Sequence, residues 1–96
     1  MNEFFASLAK RWSEAAGRRG AEIDDPTLDG AVAEEILELA RVVAHTSERR
    51  FAPLATFTAG VATERLRASK GGLDPAGAAA FLREVREALE REAPPR

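Results

Sequence analysis

The stretch from Ile36 to Ala62, ILELARVVAHTSERRFAPLATFTAGVA, decides the fold that the sequence predicts. Apolar residues recur at helical spacing up to Ala44. The basic link SERR (47–50) follows, and Pro53 comes three residues later. Proline is favoured in the first turn of a helix, where its missing N–H has no role. The stretch therefore predicts the end of one helix, a short link and the start of another.

Working outward, the same spacing predicts one helix before this stretch and one after it. Glycines suit the helix ends, and the pairs Asp25-Pro26 and Asp74-Pro75 suit helix starts. Asp29 is an alternative start for the second helix. The predicted helices cover residues 2–16, 26–47, 52–69 and 75–91 approximately. Four helices with short links predict an all-α, compact antiparallel four-helix, bundle-like domain.

Length and composition agree with a single domain over residues 1–96. The chain is 45% hydrophobic and 31% charged, which is ordinary for a globular protein. Its net charge of -2 gives no global positive field for nucleic acid or anionic lipid. There is no cysteine, no long apolar run and no signal-peptide pattern. We therefore expect a cytoplasmic protein that binds neither membrane nor nucleic acid.

The third predicted helix has an unusual composition. No charged residue occurs from Phe51 to Thr63, which indicates either a nearly surrounded helix or a surface covered by a partner. Its main apolar stripe consists of Leu54, Phe57, Val61 and Ala68. A second face of small residues, Thr56, Gly60 and Thr63, would allow another helix to approach closely. We expect close packing to compensate the cost of a glycine within a helix. This face is a candidate interface, for example in a homodimer.

The joint between the second and third helices is the candidate binding site. Arg41, His45 and Arg49 lie on the polar side of the second helix, and Arg50 follows them. Ala52 and Pro53 offer no capping side chain, so free N–H groups at this helix start could hold an anion together with these residues. The residues of this predicted site are Arg41, His45, Arg49, Arg50 and Pro53. The alternative is a solvated polar face.

The sequence offers no catalytic or metal-binding pattern. A single histidine with scattered glutamates cannot supply the ligand sets of a di-iron bundle. Glu34 and Glu35 are adjacent on a helix and do not face each other, so we expect both to be solvated. Gly71 and Gly72 lack the lysine and hydroxyl of a phosphate-binding loop. We therefore expect no enzyme activity, no cofactor and no metal.

A family resemblance is carried by the same stretch. Its pattern is an Ala-Arg pair, a hydrophobic residue, Ala-His, an arginine four residues on, Ala-Pro-Leu, a threonine or aromatic patch and a glycine. The matching residues are Ala40, Arg41, Val43, Ala44, His45, Arg49, Ala52, Pro53, Leu54, Phe57 and Gly60. Trp12 and the segment DPAGAA (74–79) are also similar. In these residues the chain resembles a small actinobacterial helical family of unknown function, found alone or fused behind a molybdenum cofactor guanylyltransferase domain.

This resemblance implies a non-catalytic accessory domain linked to molybdenum cofactor biosynthesis, with the guanylyltransferase as a partner. It implies no chemistry of its own, because the nucleotidyltransferase machinery lies in the other domain. The position after Arg41, often acidic in sequences of this kind, is Val42 here, which puts a contact at that position in doubt. A small anion- or nucleotide-binding module that uses the helix joint is the alternative function.

Overall fold

Four α-helices make up the regular structure of residues 2–93, which are the residues that the computed structural model describes. They are α1 (Glu3–Arg18), α2 (Gly30–Thr46), α3 (Phe51–Lys70) and α4 (Pro75–Glu92). Since residues 2–93 contain no strand, the predicted all-α class is confirmed. Residues 1 and 94–96 of the predicted domain lie outside the described residues.

Capping side chains fix the starts of α1 and α4. The Asn2 side-chain oxygen accepts a hydrogen bond from the Phe5 N–H at 3.2 Å. Asp74 Oδ1 accepts one from the Gly77 N–H at 2.7 Å. Pro75 then occupies the first turn of α4, as the Asp74-Pro75 pair predicts. Each cap provides an acceptor for an N–H group that has none within its own helix.

The prediction that the second helix starts at residue 26 is wrong. α2 begins at Gly30, directly after the alternative start at Asp29. The Asp25 carboxylate accepts a hydrogen bond from the Ser13 hydroxyl of α1 at 2.5 Å. Asp25 therefore ties the non-helical segment 21–29 to α1, and it does not cap a helix at Pro26.

The chain divides into two compact units, one ending at Gly30 and the other beginning at Ala31. The first contains α1 and the segment 21–29. The second contains the rest of α2 with α3 and α4, and α3 contacts α4. Among its residues up to 93, the buried apolar side chains all belong to α2 and α4, namely Leu39, Val42, Ala78, Ala79 and Leu82. The single domain over residues 1–96 stays a prediction.

Ion pairs show the relative direction of α2 and α4. Glu35 of α2 pairs with Arg86 of α4 at 3.1 Å. Further along both helices, Arg41 lies 4.0 Å from Glu90. Because residue numbers rise in the same direction along both helices, α2 and α4 are parallel. This is the arrangement expected when each helix is antiparallel to the next one in the chain.

Candidate functional site

The two sides of α3 differ in the size and exposure of their residues. At about 3.6 residues per turn, the half-buried residues fall mainly on one side. On that side most of them are small, namely Ala52, Ala55, Thr56, Ala59 and Thr63, and Leu66 is the large one; the half-buried Val61 lies on the other side. The other side carries large apolar side chains, with Phe51 39%, Leu54 63% and Phe57 73% exposed. We call Phe51, Leu54 and Phe57 the α3 face.

This exposure excludes one of the two sequence-based interpretations of the uncharged run from Phe51 to Thr63. α3 contains no buried residue, so the prediction of a nearly surrounded helix is wrong. A helix with a small-residue side can lie close to its neighbour without burying its larger side chains. The other interpretation, a surface covered by a partner, stays a prediction, and the α3 face is the surface that it concerns.

The small residues predicted as an interface have two different environments. Thr56 and Thr63 are half-buried, and their hydroxyls donate to the carbonyls of Pro53 at 3.0 Å and Ala59 at 2.8 Å. Gly60 is exposed, and a Cβ added there would meet no atom within 4 Å. The expected close packing around Gly60 is therefore wrong within the described residues. The role of Thr56, Gly60 and Thr63 as an interface between chains stays a prediction.

Arginines lie before and beyond the α3 face along the same side of the helix, Arg50 directly beside Phe51 and Arg65 about 12 Å beyond Phe57. The Arg50 guanidinium lies 5.8 Å from the centre of the Phe51 ring, within the range of a cation–π contact. Arg50 also pairs with Glu48 at 2.9 Å, and 81% of its side chain is exposed. At the other end, the exposed Arg65 lies about two turns after Phe57 on the same side of α3.

The acidic residue beside Arg65 is already neutralised. Arg67 donates hydrogen bonds to both oxygens of Glu64, at 3.0 and 2.9 Å. These bonds hold the pKa of Glu64 below its ordinary value. Arg65 itself pairs with no carboxylate of the described residues. The α3 face is thus an apolar surface with a positive charge directly before Phe51 and a second one about 12 Å beyond Phe57.

The predicted site at the helix joint is partly occupied by ion pairs. Arg41 pairs with Glu38 on its own helix at 2.8 Å and lies near Glu90. Arg50 pairs with Glu48. His45, Arg49 and Pro53 are exposed. Arg41 is therefore held by Glu38 of α2 and lies near one α4 carboxylate, and the side chains of His45, Arg49, Arg50 and Pro53 are exposed around the joint.

The backbone at the start of α3 has acceptors of its own. No side chain caps the helix, as predicted. The Phe51 N–H donates to the Glu48 carbonyl at 3.0 Å, and the Ala52 N–H donates to the Arg49 carbonyl at 3.1 Å. The third residue, Pro53, has no N–H. An anion bound here would thus depend on side chains rather than on free N–H groups of the helix.

The prediction that Glu35 is solvated is wrong. Glu35 is only 9% exposed and accepts hydrogen bonds from Arg83 at 2.8 Å and Arg86 at 3.1 Å. Burial raises the pKa of Glu35, but the hydrogen bonds and charges of the two arginines outweigh it and hold the pKa below its ordinary value. The sequence contained a signal for this position, because Glu35 stands four and seven residues before the buried Leu39 and Val42.

The pairs around Glu35 form a continuous chain of charges between α2 and α4. Arg86 also pairs with Glu90 at 2.7 Å, and Glu90 approaches Arg41, which in turn pairs with Glu38. The chain alternates in sign and contains three carboxylates and three guanidinium groups, namely Glu35, Glu38, Glu90, Arg41, Arg83 and Arg86. Because its charges balance, it connects the two helices without attracting a charged ligand.

A second accessible feature lies within the first unit. A mostly apolar groove of about 510 Å³ runs between α1 and the segment 25–28. Its walls include Phe5, Leu8, Trp12, Pro26 and Leu28, together with the charged Lys10 and Asp25. Its volume lies within the range of small-molecule sites. Lys10 and Asp25 have opposite charges and Asp25 is bound by Ser13, so the groove favours no charged class of ligand.

Residues 2–93 contain neither a metal-binding cluster nor a membrane-spanning helix. No group of three or more His, Cys, Asp or Glu among them could hold a metal ion. None of their helices is long and apolar enough to cross a membrane.

The fold and the α3 face define a small all-α protein with an exposed apolar helix surface between arginines. The chain belongs to the DUF6457 family, a domain of unknown function, and the family model matches residues 3–96. Comparisons with curated proteins and with solved structures found no match. The matched range includes all of α1 to α4, and with them the stretch 36–62 that carries the resemblance described above.

Proposed function

We propose that this chain is a non-catalytic interaction domain that binds a partner protein through the α3 face. One observation carries the proposal: Leu54 and Phe57 are 63% and 73% exposed side by side on α3. Large apolar side chains one turn apart are costly to keep in water, and their burial on association is favourable. Arg50 at the edge of this surface belongs to a residue type that is enriched at protein interfaces.

The partner that we propose is molybdenum cofactor guanylyltransferase, in the cytoplasm. The support for this partner is the resemblance of the joint and of the first half of α3 to the helical family found alone or fused behind that enzyme. Two residues of the resemblance, Leu54 and Phe57, belong to the α3 face. A domain that occurs both fused to an enzyme and alone is well suited to bind that enzyme when the two are separate chains.

Calorimetric titration of the full chain with the host's guanylyltransferase tests this function. We expect saturable binding, and the double variant Leu54→Ser/Phe57→Ser should weaken it by about thirtyfold or more, the effect of losing central apolar anchors. Leu37→Ser on α2 is the matched control, since Leu37 is also exposed, at 70%, but lies outside the α3 face. Absence of binding by the unmodified chain would refute the proposed partner.

A second proposal is a small anion- or nucleotide-binding module at the helix joint. The accessible basic side chains of His45, Arg49 and Arg50 favour it, whereas the bonded N–H groups of Phe51 and Ala52 weaken it. Titration with inorganic phosphate and with GTP, followed by NMR of the His45 ring, separates the two proposals. The variant His45→Ala/Arg49→Ala should abolish any such binding with its circular dichroism spectrum unchanged. If phosphate and GTP leave the His45 signals of the unmodified chain in place, this module is excluded.

A further inference from the structure

We infer that the α3 face binds an amphipathic helix with acidic residues at both ends of its apolar side. This inference rests on the proposed interaction function and names the class of its partner. It follows from the apolar contact surface and from the charges that border it. Neither feature depends on the identity of the guanylyltransferase.

The apolar part of the α3 face has the dimensions of a helix-binding surface. Leu54 and Phe57 are three residues apart and Phe51 precedes Leu54 by three, so the side chains form a row along the axis of α3. An approaching helix can place its own apolar residues between them, as ridges and grooves do in helix pairs. The row spans about two turns, which matches two or three apolar residues of a partner helix.

The charges before and beyond this row on α3 specify the polar residues of the partner. Arg50 and Arg65 are separated by 15 residues, or about 22 Å along a helix. Arg49 adds a further exposed positive charge near Arg50, so the single pairing with Glu48 leaves that end positive. This field is local, because the whole chain has a net charge of -2. Acidic residues on the partner would meet both ends and would accelerate association.

The same charges disfavour a second copy of this chain as the occupant. In a two-fold dimer each α3 face would meet its own equivalent. Two antiparallel α3 helices that pair about Phe57, the most exposed residue of the face, would bring Arg50 of each copy close to Arg65 of the other. Two parallel helices would place Arg50 opposite Arg50 and Arg65 opposite Arg65. Like charges meet in both arrangements, so the face is suited to an acidic partner and not to itself.

The test uses the full chain and two designed helical peptides as probes. Both peptides have the same leucine positions at helical spacing. One has glutamates at both ends of the apolar side, and the other has lysines there. Fluorescence anisotropy at low salt should show that the glutamate peptide binds at least about tenfold more tightly than the lysine peptide. Raising the salt concentration should reduce this difference.

Variants of the chain assign the binding to the α3 face. Leu54→Ser/Phe57→Ser should lower the affinity for the glutamate peptide by about thirtyfold, whereas Leu37→Ser should leave it unchanged. Arg50→Glu/Arg65→Glu should reverse the preference between the peptides. The matched charge control is Arg11→Glu, an exposed arginine of α1, which should preserve the preference. Circular dichroism verifies that each variant is folded.

The outcomes also separate this inference from the proposed function. Equal binding of both peptides, or binding that is insensitive to Leu54→Ser/Phe57→Ser, overturns the acidic-helix inference. A dimer in light scattering that Leu54→Ser/Phe57→Ser dissociates overturns it as well. If the guanylyltransferase still binds the unmodified chain in those cases, the proposed function stands without this partner class. If the glutamate peptide binds as expected and the guanylyltransferase does not, the surface is correct and the proposed partner is wrong.

Discussion

Glu35 is the residue whose environment has the clearest consequence for stability. Its carboxylate is buried and accepts hydrogen bonds from Arg83 and Arg86. Glu35→Gln removes the charge and replaces one of the two accepting oxygens with an amide NH2 group, which cannot accept from a guanidinium group. We expect this variant to lower the free energy of unfolding by about 2 kcal/mol, since Arg83 is half exposed and regains water. Urea unfolding measures the change, and the neighbouring exposed Glu34→Gln is the matched control, with no expected effect.

The contribution of Glu35 should depend on pH in one direction. Its pKa in the folded chain is below the ordinary value, so folding favours the ionised form. The stabilisation is therefore complete above the unfolded pKa of about 4.3 and is lost as pH falls through the lower folded pKa. The stability difference between the unmodified chain and Glu35→Gln should be constant above about pH 6 and shrink at more acidic pH. A difference that grows on acidification would contradict the assigned role of the two arginines.

At the scale of elements, α3 contains a glycine that its packing does not require. Gly60 is exposed, has no positive φ, and a Cβ there would meet no atom within 4 Å. Because alanine favours the helix more than glycine does, Gly60→Ala should raise the free energy of unfolding by about 0.5 to 1 kcal/mol. Thermal unfolding followed by circular dichroism is the measurement.

Gly71→Ala provides the opposite case on the same helix. Gly71 ends α3 in the left-handed conformation, with φ of 75°. A Cβ there would also meet no atom within 4 Å, so any loss comes from the backbone conformation alone. Gly71→Ala should lower stability by about 1 kcal/mol. If Gly60→Ala also destabilises the chain, we infer that Gly60 packs against a second chain, as the predicted interface requires.

The helices themselves could be predicted from sequence, because their signals are local. The Asp74-Pro75 start of α4 depends only on neighbouring residues, and Asp74 caps Gly77 as expected. The sequence pattern predicts a start of α2 that is too early, because the Asp25 carboxylate accepts a hydrogen bond from Ser13, twelve residues away. No local pattern contains such a contact, so a correct capping motif can be used for a tertiary hydrogen bond instead.

The orientation of α3 was less predictable than its position. Its apolar stripe and its small-residue face are both compatible with packing, and periodicity does not decide which one faces the chain. Thr56 and Thr63 are half-buried and Phe57 is exposed, so the small-residue side of α3 is the less exposed one. The contacts of Arg41 and Glu35 across to α4 are equally hard to predict, since Glu90, Arg83 and Arg86 are distant in sequence. The candidate residues at the joint could be named, and the pair of Arg41 with Glu38 follows from their three-residue spacing, but the approach of Arg41 to Glu90 could not be predicted.

At the scale of the whole molecule, the predicted single domain has a measurable consequence. The chain of 96 residues can bury only a modest share of its surface, which favours one cooperative transition. Trp12 is the single tryptophan and lies in the groove of the first unit, so its fluorescence follows that unit. Circular dichroism follows mainly α2, α3 and α4, which contain 17, 20 and 18 residues.

We therefore expect urea to produce coincident transitions in Trp12 fluorescence and circular dichroism. Glu35→Gln should then move both midpoints equally, although Glu35 belongs to the second unit, because a single cooperative domain has one free energy of unfolding. Glu34→Gln should move neither. If Glu35→Gln shifts the circular dichroism transition alone, the units that meet at Gly30 and Ala31 unfold independently. The α3 face and the groove would then belong to separately folding parts, and a partner could stabilise one of them without the other.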